Sequence, residues 1–310
     1  WSEHYWYLKE IGFEPRDNLF VPLNKYYNNL KMPTSELPEI KFLGSKDFEE
    51  MNVPLILYKY RDWENLNHRQ ILKKREIYFA PPNSFEDPLD CHISRRFDLL
   101  TDDDILNKYR VDLKKDNPNL DDKEIEKTAK EWFDKGLLRD KKRIQEIEDF
   151  FWQDFNKRYG IFCLTPVPDS KVMWEKYSNH LKGFCVGFQS LILFKDQQHF
   201  GGGGPVSYYE ELPTLIPFRE EPIFELQRQI YSKEDKWSFE NEYRLSKINI
   251  KNRTVTIPRE AFAEVIIGSE IHKNYRKDII RIVKNRLPNV ILKEAFLIDG
   301  YIKISEIDNI

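Results

Sequence analysis

The chain has 310 residues, enough for one large domain or a domain carrying insertions. Charged residues are 33% of it, yet they nearly cancel to a net charge of −3, which argues against a dedicated nucleic-acid coat and leaves room only for a local basic groove. No apolar run approaches the roughly 18 residues that a membrane-spanning helix needs, and no signal-peptide pattern is visible.

The 21 Phe, 16 Tyr and 7 Trp should dominate the core. Cys91, Cys163 and Cys185 are far apart, and the last two sit in the apolar runs IFCLT and GFCVGF. They read as small buried hydrophobes in a reducing, cytoplasmic compartment. No pair has CxxC spacing, and the six His are scattered, so metal independence is expected.

Residues 1–54 are aromatic and weakly periodic, and read as an arm packed on the main body. A strand follows at 55–60 (LILYKY), then a short helix over 63–74 and a second strand at 76–80 (EIYFA). PPNSFEDPLD is a turn-rich loop. Over 101–158 charge dominates and apolar residues recur at helical spacing. Ile125, Ala129, Trp132 and Phe133 form one stripe; Ile144, Ile147, Phe151 and Phe155 form another. Asp121 with Glu124 reads as a capping box. This helical insertion suits a lid, a partner surface or plain packing.

Strand character returns at 160–165, a helix is expected over 171–182, and a strand over 183–188. The four glycines from Gly201 to Gly204 lack the Lys-Ser/Thr of a phosphate loop and read as a flexible hairpin loop. A helical stretch follows Pro222. Residues 240–250 and 253–258 read as a β-hairpin around Lys251 and Asn252. Strand 263–268, helix 274–286 and strand 290–297 make a C-terminal β-α-β unit with locally parallel strands. The fold class is therefore α+β: a mixed, twisted, split β core in a 55–310 domain.

Four motifs could carry chemistry. In LYKYR, Tyr58 and Tyr60 share one strand face while Lys59 and Arg61 share the other. That suits an edge strand, or an aromatic and cationic lining for a flat anionic ligand. In SFEDPLD, Asp87 and Asp90 follow Phe85; they either cap local amides or present two carboxylates on a rigid turn. In MWEKYSNHLKGFCVGF, helical spacing puts Trp174, Tyr177 and His180 on one face, as core packing or as a ligand wall. In WSFENEYRL, a strand would point Glu240, Glu242 and Arg244 to one side, either as a charged sheet edge or as a carboxylate pair beside an arginine.

The order of LYKYR, IYFAPPNSFEDPLD, MWEKYSNHLKGFCVGF, VSYYEELP and ENEYRL resembles a bacterial domain-of-unknown-function family, number 2971, over roughly residues 55–270. Tyr177 and His180 match its pattern. Glu86 and Leu89 depart from its usual Phe-Asn-Asp-Pro-Phe-Asp loop, and Lys176 stands where that family often has His. The opening strand-helix-strand and the late strand with Glu in ENEYR also resemble the ADP-ribosyltransferase fold at the level of architecture.

That likeness implies a cleft that binds NAD or a related nucleotide, with protein, nucleic acid or water as acceptor, and a setting in toxin or antiphage defence. Glu242, with Glu240, would stabilise the charge that develops on the ribose. Tyr58, Arg61 and Tyr177 would position the dinucleotide, with Tyr60, Phe85, Asp87, Asp90, Trp174, His180 and Arg244 around it. Glu242 is expected to be the most sensitive position for activity, at a stability cost within about 1 kcal/mol. Two other readings stand beside this one: a non-catalytic ligand or partner sensor, and a metal-dependent nuclease using Asp87, Asp90, Glu240 and Glu242.

Overall fold

A computed structural model describes residues 53–195, 202–220, 222–248 and 250–307. The expected N-terminal arm lies outside them but for its last two residues. The fold is α+β with mixed, open sheets. In chain order the strands are β1 (Ile56–Arg61), β2 (Glu76–Tyr78), β3 (Gly160–Leu164), β4 (Phe184–Gln189), β5 (Gly202–Pro205), β6 (Ser207–Tyr209), β7 (Ser232–Glu234), β8 (Tyr243–Lys247), β9 (Thr254–Thr256), β10 (Phe262–Gly268), β11 (Ile291–Ile298) and β12 (Tyr301–Glu306).

All twelve belong to one compact unit, which takes the described residues up to Ile93, Trp152–Pro213 and Ile223–Ile310. Its main sheet has the order β1-β4-β10-β11-β12. Helix Lys273–Arg286 joins the parallel pair β10 and β11. Both faces of the sheet's β1-β4-β10 part are covered. Leu57, Phe184, Val186, Val265 and Ile267 join one apolar cluster. Tyr58, Tyr60, Cys185 and Ile266 join the other, against Met173 and Trp174. Burial on both faces explains the unbroken apolar runs GFCVGF and EVIIG. Tyr58 and Glu264 flank Gly187 across three adjacent strands, and the Tyr58 hydroxyl donates to Glu264 Oε1 over it at 2.9 Å. A Cβ on Gly187 would come within 2.8 Å of Glu264 and 2.9 Å of Tyr58, so only glycine leaves room for that bond.

A second sheet has the order β3-β8-β5. Backbone hydrogen bonds join the two sheets at one bridge, Tyr58 with Thr165, and strand pairing goes no further along β1. β2 pairs with β9, and Ala80 just beyond it bridges Ile161 of β3. The core is split between β1 and β3.

Several expectations need correction. Residues 240–258 are not a hairpin. Both edges of β8 are taken by β3 and β5, so β9 pairs with β2 instead. The glycine run is not a loop over its described part: Gly202–Gly204 lie in β5, where a Cβ on Gly203 would meet Phe194 at 2.6 Å and Leu245 at 2.8 Å. The helix expected over 63–74 shrinks to Gln70–Lys73. Asp62 and Asn65 accept from the amides two residues on, Glu64 and Asn67, and so favour turns over helix. Helix Lys171–Tyr177 stops early because Asn179, His180 and Leu181 all take positive φ. A further strand, β12, pairs with β11 through a tight hairpin at Asp299-Gly300, whose φ of 52° and 83° suits that dipeptide.

The other unit takes Ser94–Phe151 and Thr214–Pro222. Its helices include Asp102–Asp116 and Asp122–Asp134. The capping box is formed: the Asp121 carboxylate accepts from the amides of Lys123 and Glu124, and Glu124 accepts from the Asp121 amide. Ile125, Ala129, Trp132 and Phe133 pack with Ile105, Tyr109 and Leu113, and with Ile144 and Ile147. Of the second stripe, Phe155 belongs to the larger unit, where it stacks on Tyr159. Among the described residues no helix is long and apolar enough to cross a membrane.

Candidate functional site

A cleft of about 950 Å³ opens in the larger unit where β1 and β3 part. Lys59 and Arg61 line it from β1. Strand alternation sends them to the face opposite the packed Tyr58 and Tyr60. Among the described residues neither forms an ion pair; the Lys59 ammonium lies 5.3 Å from the centre of the Phe162 ring. Burial, with the Arg61 charge adding to it, pulls Lys59 down to about 8. Burial likewise lowers Arg61 to about 10. His68, hydrogen-bonded to the Asp62 backbone, is lowered to about 4 by burial and by Arg61. Among the described residues Lys59 and Arg61 have no direct ion-pair partner, an arrangement that costs stability and that an anionic ligand would relieve.

The acidic side is built from three segments. Asp90 comes from the loop after β2, Glu240 ends the 3-10 turn Asp235–Glu240, and Glu242 precedes β8. Glu240, Glu242 and Arg244 therefore do not alternate along one strand as the sequence suggests. Asn241 takes a left-handed φ of 42°, which turns the chain between the two glutamates and brings both to the same ammonium. Lys233 donates to Glu240, and lies 3.3 Å from both Glu242 Oε2 and Asp90 Oδ2. Arg244 grips Glu242 with two bonds, Nε to Oε1 at 2.9 Å and Nη2 to Oε2 at 2.8 Å. Its Nη2 also reaches Asp90 Oδ2 at 2.8 Å, and its Nη1 reaches the Ile230 carbonyl at 2.6 Å.

Three carboxylates thus share two cations. Burial alone would raise Glu242, but Arg244 and Lys233 more than offset it and hold the group at about 2. The same acids raise Lys233 against the pull of burial. Burial and Glu242 push the Cys163 thiol up to about 12, so it stays protonated and bonds Glu242 from β3. Glu242 is 4% exposed, and does not stand on the partly solvated strand face that the sequence suggests.

Aromatic side chains join the two sides. The Tyr177 hydroxyl donates to Glu240. Trp237 donates Nε1 to Asp87 Oδ2 at 2.7 Å, while Asp87 Oδ1 caps the Leu89 amide at 3.1 Å. Lys176 lies over the Trp237 ring at 4.3 Å and pairs with Glu86 at 2.8 Å.

Of the residues singled out in the sequence, Tyr58, Tyr60, Arg61, Phe85, Asp87 and Asp90 line this cleft, and so do Tyr177, Glu240 and Glu242. The Tyr58 and Tyr60 hydroxyls are engaged with Glu264 and with the Val167 carbonyl, and both side chains are packed in the apolar cluster of Met173 and Trp174. Three residues are not brought to it. Trp174 is fully buried, edge-on to Tyr60, with Nε1 bonded to the Pro168 carbonyl. His180 sits in the left-handed turn after the helix and does not line the cleft. Arg244 is fully buried behind it, below the Phe85 ring at 5.5 Å, and holds acids rather than ligand. Nothing local marks Lys233, one of two lysines in SKEDKW, as a buried partner of carboxylates, and Cys163, expected only as a buried hydrophobe, also bonds Glu242. Trp237 opens WSFENEYRL, where nothing local marks its indole as the partner of Asp87.

Among the described residues no three His, Cys, Asp or Glu side chains are arranged to hold a metal ion. No family model, curated protein or solved structure matches the chain.

Proposed function

We propose that the cleft binds NAD or a closely related nucleotide and breaks its N-glycosidic bond, in the manner of an ADP-ribosyltransferase or an NAD glycohydrolase. The observation that carries this reading is the polarity of the cleft. Lys59 and Arg61, without an ion pair among the described residues, line one side, and a buried cluster with one more carboxylate than cations lines another. NAD has the matching charges: an anionic diphosphate, and a cationic pyridinium on the ribose. The diphosphate suits Lys59 and Arg61, and Phe85 supplies apolar wall.

When the bond breaks, its electron pair goes to the pyridinium nitrogen. Nicotinamide leaves neutral, and the ribose carbon carries the positive charge. The excess negative charge at Glu240 and Glu242 opposes that charge in a site already organised for it. Water or a nucleophile of another molecule then forms the new bond at the same carbon and loses its proton.

One observation favours a second reading. Both Glu242 oxygens are already occupied by Arg244, which suits a sensor that binds a nucleotide without chemistry. A nuclease reading draws less support, since Lys233 and Arg244 stand where metal ions would have to bind. Titration calorimetry with NAD, and separately with a DNA oligonucleotide plus magnesium, tests the ligand class. The expected result is saturable NAD binding that ADP-ribose displaces. Oligonucleotide binding with no NAD binding would sink the proposal.

A further inference from the structure

We infer that Lys233 is a positioning residue that holds the Glu240 carboxylate in the cleft, and that it acts on turnover through Glu240 alone. This rests on the reading of the cleft as a glycosidic-bond-breaking site.

An ammonium has three N–H donors. Lys233, 6% exposed on β7, has three carboxylates within reach: Asp90, Glu240 and Glu242. The three do not depend on it equally. Glu242 and Asp90 are also held by Arg244. Glu240 makes no bond to Arg244: one of its oxygens accepts from Lys233 and the other from the neutral Tyr177 hydroxyl. Lys233 is thus the cation to which Glu240 is tied. Without it, Glu240 would be a buried acid beside Asp90 and Glu242, driven to take up a proton or to swing away. Either change removes negative charge from the place where the ribose cation forms. The cationic side of the cleft, Lys59 and Arg61, is untouched, so ligand affinity should survive.

The sequence gives no hint of this role. SKEDKW carries two lysines and two acids in a row, and nothing marks Lys233 as buried while Lys236 is largely exposed.

The test is steady-state nicotinamide release by the parent, Lys233→Met, Glu240→Gln and the double variant, with NAD affinity measured alongside. Lys233→Met should lose about a hundredfold in kcat, the scale expected for a misplaced catalytic group. Its NAD affinity should stay within about threefold of the parent. In the Glu240→Gln background the same change should have no further effect on kcat, as two residues acting as one unit require. On acidification, Lys233→Met should lose its remaining turnover at a higher pH than the parent does. A purely structural role would scale the profile down without moving it. Lys233→Gln, which keeps donors and loses only the charge, covers the case in which the methionine variant does not fold; it should show the same loss. Additive effects of Lys233→Met and Glu240→Gln, or parental kcat in either Lys233 variant, would overturn the inference. A parent that binds NAD and releases no nicotinamide would overturn the reading beneath it as well.

Discussion

Glu242→Gln is expected to lower the free energy of unfolding by about 3–5 kcal/mol, the scale for breaking a buried ion pair by removing one partner. Arg244 is fully buried, and Glu242 takes two of its bonds. The amide can accept at one position only, so a guanidinium that cannot reach water loses a charged partner. Urea denaturation of parent and variant measures the loss. A value under about 1 kcal/mol, the figure expected from the sequence, would mean that the network is far more solvated than its geometry indicates. The pH dependence has a defined sign. Glu242 is held at about 2, below its ordinary value of 4.5, so its contribution is full above that ordinary value and is lost as pH falls toward 2. Parent and Glu242→Gln should therefore converge in stability on acidification. Turnover should fall in this variant too, but its instability makes it a poor probe of chemistry.

The second large effect lies on the other side of the cleft and runs the opposite way in stability. Lys59→Met and Arg61→Met should each weaken NAD binding about tenfold or more, and the double variant about a hundredfold, since each removes a charge-assisted contact. Neither cation has a counter-ion among the described residues, so their removal should leave the melting temperature unchanged or raise it. Lys59 carries a folded-state value near 8, below its ordinary 10.5. Its burial as a cation therefore opposes folding below about pH 8, and this opposition fades as pH rises above it. Affinity for an anionic ligand should fall over that same rise, and Lys59→Met should flatten the dependence. Variants that lose both affinity and several degrees of melting temperature would mark these residues as structural. Parental affinity in the double variant would remove them from the site.

Much of the fold could be read from the chain because its strands are short, apolar and set off by turns. LYKYR, GIFCL and EVIIG fall where the pattern puts them, and the Asp121–Glu124 box forms as read. The partners of the strands were less legible. β8 and β9 are adjacent in sequence and belong to different sheets, because pairing depends on which edges are already filled. The candidate site divides in the same way. Residues with a visible local pattern, such as Arg61, Asp87 and Tyr177, reach the cleft. Arg244 misled because a charged residue on a strand suggests a surface, and this one is buried by the acids it binds. Lys233 could not be found at all, since its meaning comes from Asp90, 143 positions away, and from a left-handed turn at Asn241.

The most direct test of the central claim is nicotinamide release from NAD by the parent and by Glu240→Gln. The glutamine keeps an acceptor for Lys233 and removes negative charge from the cluster, while Arg244 keeps both of its acids. The parent should release nicotinamide in step with an ADP-ribosyl product. Glu240→Gln should bind NAD with parental affinity and release nicotinamide about a hundredfold more slowly. Release at the parental rate in the variant, or NAD binding by the parent with no release, would contradict the account.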